Sequence, residues 1–236
     1  GNRANGEGGG LYNHAPGTVT VYNTTFSANA ANYGGGIFNG SCDGYMSCSD
    51  PQAKFTTVNV VNSTLTGNIA RISGGGIYNN FWEYDGELRG TGTLYLGNSI
   101  VAGNTAPTAS EAFTREPYKT VPSLTSQGNN LLGKNRDPGV VGVTLRGTDL
   151  TLTGAVDTAI EPLDDNGGPT PTHLLAAGSP AIDKGSNPLA IAAGLTTDQR
   201  GPGFQRIVNT TVDIGAIEVG TAISYRLNVN KTGGNG

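Results

Sequence analysis

Charged side chains are scarce in this sequence. They make up 14% of the 236 residues, well below the roughly 25% of an average globular protein, which argues against a disordered chain held in solution by its charges. The net charge of −4 and the pI of about 5.1 provide no basic surface, so no nucleic-acid partner is expected. No apolar run approaches the roughly 18 residues of a membrane span, so no such span is predicted in this chain.

Cysteine is rare as well. The two cysteines, Cys42 and Cys48, lie in the segment SCDGYMSCS, and the only histidines are His14 and His173. A single C-x5-C spacing with no nearby histidine is not typical of a metal site. We interpret the pair as a local disulfide that closes a loop insertion, which would imply an oxidising compartment. The low lysine content and the many Asn, Thr and Ser residues also favour an extracellular or cell-surface location.

Glycine, in contrast, is abundant, but its 38 residues follow no strict three-residue period, which excludes a collagen-like chain. One glycine-rich phrase occurs three times, as GGGLYN at residues 8–13, GGGIFN at 34–39 and GGGIYN at 74–79. Each copy is followed by a second shared phrase, at residues 18–31, 58–70 and 94–106. Such internal repetition indicates a stack of similar structural units.

The second phrase alternates as a β-strand does. Val19 and Val21 fall on one face, and Thr18, Thr20 and Tyr22 fall on the other. Glycine triplets and β-branched residues at period two oppose a helix. We therefore predict an all-β fold, a right-handed parallel β-helix (a solenoid), in which the glycine phrase forms a corner and asparagines turn the chain after the strands.

The repeats and their interruptions divide the chain into three parts. We assign residues 1–160 to β-helix repeats, with loop insertions at 40–54, 80–92 and 107–126, residues 161–220 to an irregular C-terminal closing region, and residues 221–236 to an additional strand. Insertions in repeat proteins map to loops on one face, which is often the binding face.

Several sequence motifs of the second half occur in a recognisable order: NSIVAGN, GNNLLG, PLDDNGGPTPTHLLAAGSPAIDKG, TDQRG and DIGAIE. In this order they resemble the "choice-of-anchor Q" class of secreted bacterial β-helix proteins, and the phrases GGGIYN and NSTLTGNIA resemble the repeats of polymorphic outer-membrane proteins. The resemblance spans about residues 8–219. It implies a right-handed β-helix, secreted or on a bacterial surface, whose C-terminal end is closed by the region from PLDDNGG to DIGAIE. Members of the class mostly lack an established activity.

An acidic cluster in the second half is a candidate Ca²⁺ site. Asp164 and Asp165 offer the oxygen ligands that Ca²⁺ prefers. Alternatively, DDNGG is a strong turn whose carboxylates hydrogen-bond the local backbone. A structural Ca²⁺ is thus the one cofactor considered, and no other is predicted.

Four further residues, Asp183, Asp198, Arg200 and Asp213, are expected to form a structural set of ion pairs and hydrogen bonds. A bidentate arginine–carboxylate pair would satisfy groups that are otherwise unpaired there. We expect His173 to pack or hydrogen-bond and not to act as a general base.

The chain offers little for catalysis. Glycosidic hydrolysis needs two carboxylates at a defined separation on one face, whereas no repeat strand carries a pair of outward acids, and no G-x-S-x-G motif is present. We predict no catalytic residues. The first hypothesis is a non-catalytic extracellular structural or adhesive surface module. The alternative is a carbohydrate-active enzyme, a polysaccharide lyase or hydrolase, or a glycan-binding module.

The insertion at residues 80–92 is the candidate ligand-binding loop. It contains Trp82, Glu83, Tyr84 and Asp85, and its aromatic rings could stack on a sugar. The aromatics could equally pack over the flank of the β-helix.

The C-terminal tail alternates cleanly, with Ile223, Tyr225, Leu227 and Val229 on one face. An unpaired strand can add to the sheet of another chain. We expect this strand either to join copies of the chain head to tail in fibres or to pair with a neighbouring module of a larger surface protein. Alternatively, it packs on the end of its own solenoid.

Overall fold

A computed structural model describes residues 1–14, 16–40, 55–84, 87–109, 111–114, 124–133 and 139–220, and for residues 81–84, 87–89 and 113–114 it describes the backbone alone. These residues form mostly parallel β-sheets with almost no helix. The prediction of an all-β fold with parallel strands is therefore confirmed. Within the described residues, no helix is long and apolar enough to cross a membrane.

The strands follow the sequence repeats. The first repeat contains β1 (Leu11–Asn13), β2 (Gly17–Tyr22), β3 (Thr25–Ser27) and β4 (Ala30–Tyr33), and the second contains β5 (Ile37–Asn39), β6 (Phe55–Val61), β7 (Thr64–Thr66) and β8 (Ile69–Ser73). The third contains β9 (Ile77–Asn79), β10 (Phe81–Tyr84), β11 (Glu87–Gly97) and β12 (Ile100–Val101). Shorter repeats follow, with β13 (Ala112–Thr114), β14 (Leu124–Gly128) and β15 (Leu131–Gly133), then β16 (Val140–Val141), β17 (Val143–Thr144) and β18 (Leu150–Leu152).

The chain visits three main sheets in the same order in each repeat. The first sheet has the order β1-β5-β9-β13-β16, the second β2-β6-β11-β14-β17 and the third β3-β7-β12-β15-β18, and every neighbouring pair in them is parallel. Parallel neighbours need long crossover connections. Here each crossover is made of the strands that the chain contributes to the other two sheets. A small fourth sheet pairs β4 with β8.

The strand register places equivalent residues of successive repeats side by side. In the second sheet, Val19 pairs with Val58, Val58 with Leu94 and Leu94 with Leu124. These inward side chains meet inward residues of the other sheets, such as Ile37 and Leu65, in one apolar core. Burying each large aliphatic side chain contributes about 1.5–3 kcal/mol, so the repeats are held together chiefly by this continuous interior.

Asparagine turns the chain from the second sheet into the third. Asn23, Asn62, Asn98 and Asn129 directly follow β2, β6, β11 and β14, and their φ angles are 44°, 48°, 48° and 56°. Asparagine adopts this left-handed backbone more readily than most residues do. The turn positions predicted from these asparagines agree with the structure.

The glycine phrase forms the corner before each strand of the first sheet. Its first glycine has a left-handed backbone in all three copies. Its third glycine lies against the next repeat, because a Cβ on Gly36 would be 2.5 Å from the carbonyl oxygen of Gly76. A side chain at this position would therefore separate the repeats.

Two insertions contain sheet strands. In the insertion at residues 80–92, β10 pairs antiparallel with the first part of β11, so that it extends the second sheet. The stretch 107–126, which the sequence analysis treats as an insertion, contains β13 of the first sheet. The glycine phrase is missing there, with Glu111 standing where Gly36 and Gly76 stand in earlier repeats, and this loss hides the strand.

Residues 159–219, here termed the C-terminal segment, lie along the outer face of the third sheet. The segment contains β19 (Ile160–Asp164) paired antiparallel with β20 (Thr172–Leu175), and a short helix, α1 (Asn187–Ala192); a 3₁₀ turn at Val156–Thr158 precedes it. A second apolar core joins Ile100 and Leu131 of the third sheet to Leu175 and Ile214 of the segment. The family resemblance implies that this region closes the C-terminal end of the stack, whereas in the structure it packs along the stack from the first repeat to the fifth.

Candidate functional site

Buried polar side chains run through the repeats in rows. In one row Asn29 Nδ2 donates to Asn68 Oδ1 at 2.9 Å, and Asn68 Nδ2 donates to Asn104 Oδ1 at 2.8 Å. Asn104 Nδ2 then donates to Glu111 Oε2 at 2.7 Å. All four side chains are buried. The amides point one way, and a carboxylate, which only accepts hydrogen bonds when ionised, receives the last donor.

Two further rows also link polar side chains of one repeat to those of the next by hydrogen bonds. Asn13 donates to Asn39 at 2.9 Å and Asn39 donates to Asn79 at 2.8 Å. In the row directly before the third-sheet strands, Ser99 N–H donates to Asn130 Oδ1, and Asn130 Nδ2 donates to Asp149 Oδ1 at 2.9 Å. Such rows satisfy buried amides that would otherwise destabilise the fold.

The turn asparagines bind the C-terminal segment. Their Nδ2 groups donate to main-chain carbonyls of the segment: Asn23 to Thr197 at 2.6 Å, Asn62 to Asp213 at 3.4 Å, Asn98 to Ser186 at 2.9 Å and Asn129 to Lys184 at 2.8 Å. The residues that turn the chain thus also fix the segment to four successive repeats.

The segment holds a buried arginine that the sequence analysis did not identify. Arg206 is fully buried, and its Nη2 lies 2.9 Å from Glu218 Oε2. The guanidinium also donates to the carbonyls of Gly215, Asp213 and Ile217. Burial lowers the pKa of Arg206, although Glu218 opposes the shift. Burial raises the pKa of Glu218 to about 7, although backbone N–H donors and Arg206 lower it. The only sequence signal for this pair was that each charged residue lies in a short, mostly apolar segment, QRIV for Arg206 and AIEV for Glu218.

The predicted ion-pair set divides into two parts. Arg200 donates to both carboxylate oxygens of Asp198, with an Nη2–Oδ2 distance of 2.6 Å. Asp213 instead accepts the backbone N–H groups of Asp183 at 2.7 Å and Val219 at 2.6 Å, and burial raises its pKa. Asp183 is exposed and contributes its backbone.

Asp164 is the last residue of β19 and Asp165 follows it, and both are exposed. Asp164 Oδ1 accepts the N–H of Asp165 at 2.8 Å, and Asp165 Oδ1 accepts the N–H of Gly167 at 3.2 Å. In the described part of the chain, no group of three or more His, Cys, Asp or Glu residues could hold a metal ion. The local bonds are those of the turn alternative.

His173 links the segment to the first repeat. Its Nδ1 is 2.7 Å from the carbonyl oxygen of Glu161 and its Nε2 is 3.0 Å from Ser27 Oγ. A carbonyl only accepts, so Nδ1 carries the proton and Nε2 accepts from the serine. Burial lowers the pKa of His173, which favours this neutral ring.

The remaining predicted site residues lie partly outside the described structure. Trp82, Glu83 and Tyr84 lie on β10, where Trp82 pairs with Gly90 and Tyr84 with Glu87 of β11. Asp85, Cys42, Cys48 and the tail residues Ile223, Tyr225, Leu227 and Val229 fall outside the described residues.

The outward side of the second sheet is the candidate site, and we term it the open face. Thr18, Thr57 and Thr93 are side by side in one row; Thr20, Asn59, Tyr95, Thr125 and Thr144 form the next. All eight side chains are exposed or half-buried. Tyr22, which is 40% exposed, flanks the second row on β2. None of these side chains makes a hydrogen bond to another described residue.

No protein-family model, no curated protein and no solved structure matches this chain.

Proposed function

We propose that the chain is a non-catalytic extracellular module with a structural or adhesive role, built as a right-handed parallel β-helix. In this proposal the three main sheets are the sides of the solenoid and each repeat is one coil. The cyclic order in which the chain enters the sheets supports it, as does the single apolar core between them.

The observation that supports a non-catalytic role is that buried polar side chains form their hydrogen bonds within the protein. Asn68, Asn104, Glu111, Asp213 and Glu218 all bond to the protein itself. Catalytic groups, in contrast, lie in a cleft where a substrate can reach them. The outward side chains in the two rows of the open face are uncharged, which suits adhesion better than acid–base chemistry.

A secreted or cell-surface location follows from the same proposal. We assign the chain to the "choice-of-anchor Q" class of bacterial β-helix proteins because of its sequence motifs. We also propose that Cys42 and Cys48 form a disulfide. Alkylation with a thiol reagent, with and without prior reduction, tests the pairing. Two added groups after reduction and none before are expected, and labelling before reduction would contradict the disulfide.

The decisive test of the non-catalytic role is incubation with neutral and acidic polysaccharides. We expect no new reducing ends and no unsaturated products over the background. Cleavage that is lost in Glu83→Gln would contradict the proposal and favour the carbohydrate-active enzyme.

Head-to-tail assembly through residues 221–236 is a second part of the proposal, supported by the alternation of Ile223, Tyr225, Leu227 and Val229. Removal of residues 222–236 should abolish any fibres seen by light scattering or electron microscopy. Unchanged assembly of the shortened chain would contradict this part alone.

A further inference from the structure

The outer faces of the second and third sheets differ in what they contact. The third sheet is covered by the C-terminal segment, which buries Ile100 and Leu131 completely. On the second sheet, Thr18, Thr20 and Tyr22 are exposed. Among the described residues, the outward side chains of its two rows are exposed or half-buried on all five strands from β2 to β17.

The open face has a regular spacing. Adjacent strands of a sheet are about 4.8 Å apart, and alternate residues along a strand are about 6.7 Å apart. Its second row, from Thr20 to Thr144, crosses five strands and thus extends about 19 Å. A linear polymer laid across the strands would meet a hydroxyl or amide group at each step, at an interval similar to the length of one sugar residue.

The chemistry of the rows selects among possible partners. None of the outward side chains in the two rows is charged, so the rows themselves lack the basic groups that bind nucleic acids or acidic polymers. Threonine hydroxyls and the Asn59 amide both donate and accept hydrogen bonds, as sugar hydroxyls do. Tyr22 and Tyr95 add an apolar ring with a polar end, which can pack on the C–H face of a sugar.

From these features we infer that the open face binds a linear neutral polysaccharide, laid along the row from Thr20 to Thr144. The inference rests on the proposed adhesive function and names its ligand. Tyr95 lies at the centre of the row and provides the main stacking surface. Asn59 and the threonines orient the chain by hydrogen bonds.

Affinity gel electrophoresis of the whole chain tests the inference, with hydroxyethylcellulose and galactomannan as neutral probes and polygalacturonate as the acidic one. The neutral polymers should retard the protein and polygalacturonate should not. Tyr95→Ala should raise the dissociation constant about tenfold, since stacking on an aromatic ring contributes up to about 1.5 kcal/mol. Asn59→Ala should also weaken binding, because it removes an amide that both donates and accepts hydrogen bonds.

Tyr12→Ala is the matched control, because Tyr12 is an exposed tyrosine (48%) on the first sheet. It should bind as the unchanged protein does, and thermal unfolding should show that all variants are folded. The inference is overturned if neither neutral polymer retards the protein, if polygalacturonate retards it more strongly, or if Tyr95→Ala and Tyr12→Ala have equal effects. Cleavage of a bound neutral polymer would contradict the non-catalytic function and still support this binding face. Absence of both binding and cleavage would contradict the face alone.

Discussion

The repeats and the C-terminal segment bury polar side chains in different ways. In the repeats, neutral amides such as Asn68 bond to the equivalent residue of the next repeat, and each bond is copied along the stack. In the segment, Arg206 and Glu218 form a single buried ion pair with its own backbone partners. The amide–amide bonds have no charge to lose, whereas the Arg206–Glu218 pair and the carboxylates Glu111 and Asp149, which end two of the rows, do. The amide–amide bonds of the stack should therefore tolerate changes of pH that alter the stability of the segment.

Arg206→Met should have the largest effect. It removes the partner of Glu218 and leaves the carbonyls of Gly215 and Ile217 without a donor. Loss of one member of a buried pair costs about 3–5 kcal/mol, and urea unfolding measures it. Arg200→Met is the comparison: the Arg200 side chain is 12% exposed and its buried partner Asp198 keeps the backbone N–H of Glu218, so the loss should be smaller, about 2 kcal/mol. Equal losses would show that burial does not set the difference between the two pairs.

The pH dependence of stability should come from Glu218. Its pKa is raised from 4.5 to about 7 in the folded protein, so the folded state binds the proton more tightly than the unfolded chain does. Its contribution is full below about pH 4.5 and is lost as the pH rises through 7. The shift corresponds to at most about 3 kcal/mol.

Glu218→Gln isolates this contribution. Urea unfolding of both proteins between pH 4 and 8 should show a loss of stability with rising pH that is smaller in the variant, which keeps the contribution of Asp213, whose pKa burial also raises. His173 has a lowered pKa and contributes in the opposite sense, since its stabilisation is lost as the pH falls below its ordinary 6.5. It is present in both proteins, so the difference between them reports Glu218. Parallel curves would contradict the assignment.

A substitution inside a row should cost more than the same substitution on the open face. Asn68→Ala leaves the backbone N–H and the side-chain amide of Asn29 without their acceptor and removes one of the two donors to Asn104 Oδ1, which should cost about 2 kcal/mol. Asn59→Ala removes an amide with no bond to another described residue and should change stability by less than about 0.5 kcal/mol. Chemical denaturation measures both, and similar values would contradict the distinction between rows and open face.

The repeats were predictable because each residue of the pattern has a local cause. Alternation at Val19 and Val21 indicated strands, and Asn62 and Asn98 indicated turns, before any long-range contact was known. The same motifs recur, so the assignment of strands and turns in one repeat applied to the others. Strand β13 was missed because Glu111 replaces the glycine that marks the corner elsewhere.

The C-terminal segment was less predictable because its contacts join distant parts of the chain. The sequence does not show that Asn23 meets Thr197 or that Ser27 meets His173. The pair of Asp198 and Arg200 could be predicted from the sequence because only one residue lies between them. Arg206 and Glu218 occur once each and have no repeated pattern, so nothing local marked them as partners.

The smallest predicted effect tests whether equivalent turns of the repeats have the same left-handed backbone. Directly before each asparagine of the row that begins at Asn29, the backbone is left-handed, with φ of 56° at Ala28, 64° at Gly67 and 75° at Gly103. A left-handed backbone costs a residue with a Cβ about 1 kcal/mol, so Ala28→Gly should stabilise the fold by about that amount. Gly67→Ala is the matched reverse change, because no atom lies closer than 3.7 Å to the added Cβ, and it should destabilise the fold equally. Thermal unfolding measures both. If both changes shift the melting temperature in the same direction, the two corners do not share the backbone strain that the repeated geometry implies.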